Sequence, residues 1–280
     1  MGKLRDLMLE EMKLRNLSPR TIRAYMSHME RYTKLFGKSP ASMGEVEIRK
    51  YLRYLREERK VNWSNINVAY NAIRFFYIKT LNRKFCVEKI PRPKTEHKLP
   101  IVLSKADVKS IIEAPANLKH KKILMALYST GCRLSEVTHL KVTDIDSKRM
   151  QVRVEQGKGK KDRYTLLSET LLIALRDYWR KYTPRTWLFF GCNKDNPLTV
   201  TSIQRAFKDA KKKAGIKKPA TIHTLRHSFA THLLESGADL FTIQKLLGHE
   251  NVRTTGIYIH VQRKNIIKIV NPLDRMEEQP

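Results

Sequence analysis

The stretch Glu88-Lys89-Ile90-Pro91-Arg92-Pro93-Lys94-Thr95-Glu96-His97-Lys98-Leu99-Pro100 most constrains this chain, because it cannot belong to a packed element. Three prolines each deny a backbone donor, and little in the segment can be buried. It predicts an extended basic linker over 88–100 that parts a first domain, 1–87, from a second, 101–264, with a tail over 265–280. The first domain reads as helices alone. Ser18-Pro19 is a helix start, and Ile22, Tyr25, Met29 and Tyr32 follow at helical spacing. Ser42 with Glu45 fits a capping box ahead of Ile48, Leu52 and Leu55. Ile66, Tyr70, Ile73 and Tyr77 mark a last helix, whose other face carries Ser64, Asn67, Asn71 and Arg74. The expectation is a small bundle of four short helices.

The second domain mixes patterns. Ser104 and Asp107 start a helix, and the one containing Ile123 to Tyr128 ends at Gly131. Met150, Val152 and Val154 alternate with Gln151, Arg153 and Glu155, a strand pattern that turns at Gly157–Asp162 and returns over 163–167. Helices are expected near 169–182, 200–214, 223–236 and 239–247. The fold class is therefore mainly α with a small β-sheet.

Charge narrows the partner. Lys and Arg total 56 against 27 acidic residues, a formal net charge of +29, which fits a polyanion such as nucleic acid. No apolar run nears the ~20 residues of a membrane span, and Met1 to Asp6 opens no signal peptide, so a cytoplasmic protein without a membrane partner is expected. Cys86, Cys132 and Cys192 are odd in number and far apart, which suits reduced thiols.

Four segments concentrate residues able to do chemistry on a phosphodiester: Thr130-Gly131-Cys132-Arg133-Leu134-Ser135-Glu136; Gly157-Lys158-Gly159-Lys160-Lys161-Asp162-Arg163; His223-Thr224-Leu225-Arg226-His227; and Leu246-Leu247-Gly248-His249 with Tyr258 nine residues on. Breaking such an ester without a metal needs fixed cations on the non-bridging oxygens, an in-line nucleophile, and an acid for the leaving oxygen. Arginine, planar and always charged, suits the first task. Taken singly, each residue has a plain structural reading: Arg133 as a surface residue after a helix end, Lys158 as a hairpin-tip lysine, Tyr258 as core.

Together and in order, these segments resemble the signature boxes of the tyrosine recombinase (phage integrase/Xer) family, and 1–87 resembles that family's helical, SAM-like core-binding domain. The resemblance implies a C-shaped clamp around DNA and a site-specific recombinase that needs neither metal, ATP nor other cofactor. It implies Arg133 and Arg226 on the phosphate oxygens and His223 in proton handling at the nucleophile. His249 would donate to the phosphate, Lys158 would protonate the 5′ leaving oxygen, and Glu136 would orient the cluster. Tyr258 would form a 3′-phosphotyrosyl link. Lys160 and Lys161 crowd the same turn as Lys158 and compete for its role. His227 and His232 are expected to be structural, and zinc is not expected, since the Glu of HExxH is absent.

The implied partners are double-stranded recombination sites and three further copies in a synaptic tetramer, the free chain being a monomer. The apolar Ile266, Ile267, Ile269 and Val270 would dock on another protomer or on their own domain. Asn67, Asn71 and Arg74 are the candidates for base contacts, and Lys211, Lys212 and Lys213 for phosphates. A type IB topoisomerase would use the same chemistry without the synapse. A DNA-binding module without catalysis leaves Tyr258 without a use.

Overall fold

The computed structural model describes residues 2–83, 85–93, 99–155, 162–249 and 255–258. It divides into two compact units, residues 1–98 and 99–280.

The first unit is built from α1 (Gly2–Leu14), α2 (Pro19–Phe36), α3 (Glu45–Glu57), α4 (Trp63–Phe75) and a short α5 (Phe85–Glu88). Ser18 caps α2, its hydroxyl accepting from Thr21 N, Pro19 occupies the first helical position, and Gly37 ends the helix at φ +62°. The start of α3 differs from the expected Ser42–Glu45 box. Ser42 closes a 3₁₀ turn over Pro40–Ser42, and the helix opens two residues later from Gly44, whose N–H donates to the Glu47 carboxylate at 2.9 Å. Proline at 40 favours the tight turn, which displaces the cap. The periodic residues Met29, Tyr32, Ile48, Tyr51, Ile66, Ile73 and Tyr77 form the core. Their tyrosine oxygens are satisfied inside it: Tyr77 donates to the carbonyls of Pro40 and Met43. The expected linker over 88–100 is not free at its start: Glu88 ends α5 and residues 89–93 sit on this unit, because Ile90 supplies an apolar side chain that its core can bury. Ile90 is buried, Tyr70 donates to its carbonyl, and Asn67 donates to that of Pro93.

The second unit is an α-helical body with one small sheet. Its helices are α6 (Lys105–Glu113), α7 (Leu118–Thr130), α8 (Leu134–Thr138), α9 (Glu169–Tyr182), α10 (Val200–Lys213), α11 (Ile222–Glu235) and α12 (Leu240–Leu247). Ser104 and Asp107 exchange backbone hydrogen bonds as a capping box at the start of α6. The antiparallel sheet has the order β1 (Ile145–Asp146), β2 (Gln151–Val154), β3 (Arg163–Leu166), with Val154 opposite Arg163 and Val152 opposite Thr165. Met150, expected in the strand, lies outside it at φ +53° and turns the chain out of β1. A core of Leu103, Ile123, Leu127, Val137, Val152, Tyr178 and Phe207 joins helices and sheet, while Phe229, Ile243, Leu247 and Tyr258 form a separate buried cluster. No described helix is long and apolar enough to cross a membrane.

Candidate active site

Two left-handed glycines set the frame. Gly131 ends α7 at φ +61°, and Gly248 ends α12 at φ +64°. Both ends free carbonyls, and these carbonyls hold the arginines. Arg226, on α11, is 6% exposed and donates from Nη1 to Gly131 O and from Nη2 to Leu247 O, each at 2.7 Å. Neither glycine tolerates a side chain. A Cβ on Gly131 would stand 2.3 Å from Phe229 Cδ1, and one on Gly248 would stand 2.7 Å from Arg163 Cδ.

Glu136 is the anchor beneath. It accepts from Arg133 N and Nη1 at 2.7 Å each, and from Arg163 Nη1 at 2.9 Å and Nη2 at 2.7 Å. Burial pushes its carboxyl up, but the hydrogen bonds and charge of Arg163, then those of Arg133, outweigh this and hold it down at about 2. Arg163 spans further, donating from Nε to Leu246 O at 2.9 Å, and so ties β3 to α8 and to the end of α12. Burial lowers Arg226 to about 10, with Arg133 adding repulsion and Glu136 offsetting part of it.

His249 closes the ring. Its Nε2 lies 3.0 Å from Arg226 Nη2 and its Nδ1 lies 2.9 Å from Thr255 Oγ1. Arginine can only donate, so Nε2 is the acceptor and Nδ1 carries the proton. Burial, then Arg226, Arg133 and Arg163, lowers His249 to about 3. His249, expected to donate to a phosphate, therefore accepts from Arg226 at Nε2 in the free protein. Three arginines, one carboxylate and a neutral histidine leave this site a net charge of +2 (three minus one), suited to an anion.

Tyr258 is 1% exposed, packed in the cluster of Phe229, Ile243 and Leu247, and its hydroxyl meets His227 Nδ1 at 3.1 Å. Burial raises its pKa, while Arg226 and Arg133 pull the other way. His223 is exposed one turn earlier and has no hydrogen-bond partner among the described residues. Burial lowers its pKa, as do Arg226 and Arg133.

The sequence candidates Arg133, Glu136, Arg226 and His249 thus come together, with Tyr258 reached through His227. Lys158 and its neighbours Lys160 and Lys161 lie outside the described residues, as do the tail residues 265–280. His227, expected to be structural, touches the candidate nucleophile, whereas His232 bonds Tyr128 Oη at 2.9 Å. Arg163 and Thr255 carried no expectation. For Arg163 a signal existed, since alternation along β3 puts it on the same side as buried Thr165. Of the proposed DNA contacts, Arg74 is exposed and Asn71 half-buried, while Asn67 is engaged by Pro93 O and by Arg92 Nε at 3.4 Å. Lys211, Lys212 and Lys213 form the basic last turn of α10. Among the described residues no group of three His, Cys, Asp or Glu is placed to hold a metal.

Comparison with known proteins identifies the family to which the chain belongs. Residues 102–265 match the phage integrase family, and residues 4–86 match the phage integrase N-terminal SAM-like domain. The Sinorhizobium fredii protein y4qK, described as an integrase/recombinase, is 44% identical over 275 residues, covering 98% of this chain and 89% of that one. Tyrosine recombinase XerA of Pyrococcus furiosus is 35% identical over 286 residues, with 98% and 96% covered. The crystal structure of a lambda integrase tetramer bound to a Holliday junction shares the fold at a TM-score of 0.75 and 19% identity, with 91% and 76% covered. The chain belongs to the phage integrase family, the tyrosine recombinases, enzymes that cleave and rejoin DNA.

Proposed function

We propose that this recombinase breaks one DNA strand at a time by attack of Tyr258 on a phosphate held by Arg133 and Arg226. The carrying observation is the +2 cluster with a buried tyrosine hydroxyl beside it. Arg226 spends three of its five N–H donors on Gly131, Leu247 and His249, which leaves two for a ligand. The attack builds a second negative charge on the phosphorane, and fixed guanidinium groups in a partly dry site stabilise that charge most. The product is a 3′-phosphotyrosyl ester that conserves the energy of the broken bond, so religation needs no ATP. His223 borders the proton traffic at the nucleophile, and Lys158 serves as acid for the 5′ oxygen. A bound anion offsets the arginine charge that keeps His249 neutral, and His249 donates to it after taking up a proton from solvent at Nε2.

The wider reading has the protein bind double-stranded DNA in the cytoplasm. Arg74 and Asn71 face the bases, and Lys211, Lys212 and Lys213 the phosphates. Monomers assemble as a tetramer on two synapsed sites, residues 265–280 docking on a neighbour. The solved lambda integrase tetramer on a Holliday junction, which shares the fold, supports that assembly. A nicked substrate that traps the cleaved end tests the chemistry. In a chelator, wild type should accumulate a covalent protein–DNA product, and Arg226→Ala should lower its rate by 100-fold or more, in line with loss of a ~3 kcal/mol transition-state contact. An Arg226→Ala protein that cleaves at the wild-type rate refutes the clamp.

A further inference from the structure

A buried hydroxyl gives its proton to a group within hydrogen-bonding reach, and among the described residues His227 is the one that meets Tyr258 Oη. The hydroxyl is 3.1 Å from His227 Nδ1, the ring centroids are 5.8 Å apart, and Tyr258 is 1% exposed. We propose that His227 is a catalytic residue, the base that takes the phenolic proton of Tyr258 as its oxygen attacks phosphorus. The inference rests on Tyr258 being the nucleophile and adds a defined destination for its proton.

His227 lies on α11 one position after Arg226, with its ring half-buried. Arg226 and His223 face it from its own helix, and His249 and Tyr258 face it from the segment at and after the end of α12. No described carboxylate pairs with it. Burial, then Arg226 and His223, holds its pKa below the ordinary histidine value, so it is neutral near pH 7. A neutral ring with its proton on Nε2 offers the Nδ1 lone pair to the Tyr258 O–H. As attack proceeds, the tyrosine oxygen–phosphorus bond forms and the bond from phosphorus to the 5′ oxygen breaks. The phenolic proton passes to His227 Nδ1, and the leaving 5′ oxygen takes a proton from the acid on its own side. In religation the imidazolium returns its proton to the departing tyrosine oxygen. His223, one helical turn away and exposed, makes no hydrogen bond to that hydroxyl among the described residues, whereas His227 does.

The test compares wild type, His227→Asn and His227→Gln in single-turnover cleavage on a nicked substrate across pH. It is repeated with sulfur in place of the bridging 5′ oxygen. A sulfur leaving group departs as thiolate and needs no acid, so it erases defects in leaving-group protonation but not in the base. Asparagine places its amide oxygen near the position of Nδ1, keeping the hydrogen bond without accepting a proton. The inference expects both variants to bind DNA and melt as wild type does. Both should cleave about 100-fold more slowly at pH 7, with oxygen and with sulfur alike. Both should also lose the acid-side inflection that wild type shows below the ordinary histidine value. If the variants cleave within a few-fold of wild type with the inflection kept, or if sulfur restores their rate, His227 is not the base. Covalent product from Tyr258→Phe would instead overturn the nucleophile itself.

Discussion

Gly131 shows how much of the site depends on single positions. Its φ of +61° is costly for any L side chain, and its missing Cβ leaves room for the Phe229 ring. Its carbonyl also positions Arg226. Gly131→Ala should therefore lower unfolding stability by about 2 kcal/mol or more and slow cleavage as well, measured by urea denaturation and adduct formation. A variant of unchanged stability contradicts the packing described for this glycine. The sequence signalled the glycine as a helix stop, but the ring pressed against it comes from 98 residues downstream, and no local pattern reports such a contact. The contact that His227 makes was hidden for a similar reason. Its place on α11 beside Phe229 suggests packing, and only the return of the chain at Tyr258 gives its nitrogen a partner.

At the scale of elements, three that are distant in sequence are laced by one ion pair. Glu136 on α8 grips Arg163 on β3, and Arg163 holds the end of α12 through Leu246 O. Both side chains are at most 10% exposed, so removing one partner strands the other's charge. Arg163→Met should cost about 3 kcal/mol and loosen the hairpin, while Arg163→Met combined with Glu136→Leu should cost less than the two changes added, as a double-mutant cycle would show. Simple additivity contradicts the pairing. Most of these elements were legible beforehand: α9 and α12 lie where helices were expected, near 169–182 and 239–247, and α6 starts from Ser104 and Asp107 as expected. The start of α3 and the two-residue β1 were not. The first is decided by a proline turn, and the second exists only because β2 pairs with it.

Across the whole molecule, the +29 charge and the two-unit chain were plain in the sequence. The pH response was not, because it arises from burial. His249 is held at about 3 against an ordinary 6.5, and Glu136 at about 2 against 4.5. Each binds a proton more readily unfolded than folded, so their stabilising effect is whole above pH 6.5. It erodes through His249 between about 6.5 and 3, and through Glu136 between about 4.5 and 2. Urea midpoints of the free protein should fall as pH drops through that window, and a smaller fall is expected of His249→Gln. Binding to any duplex should weaken steeply with salt through counterion release, and Lys211→Ala should reduce that slope by about one.

The central claim is that Tyr258 carries the broken strand. Wild-type protein incubated with a nicked site in a chelator, digested with protease and nuclease and sequenced by mass spectrometry, reads it most directly. The account predicts one peptide bearing a nucleotide 3′-phosphate on Tyr258, absent from Tyr258→Phe. A nucleotide on any other residue, or cleavage with no bound nucleotide at all, contradicts it.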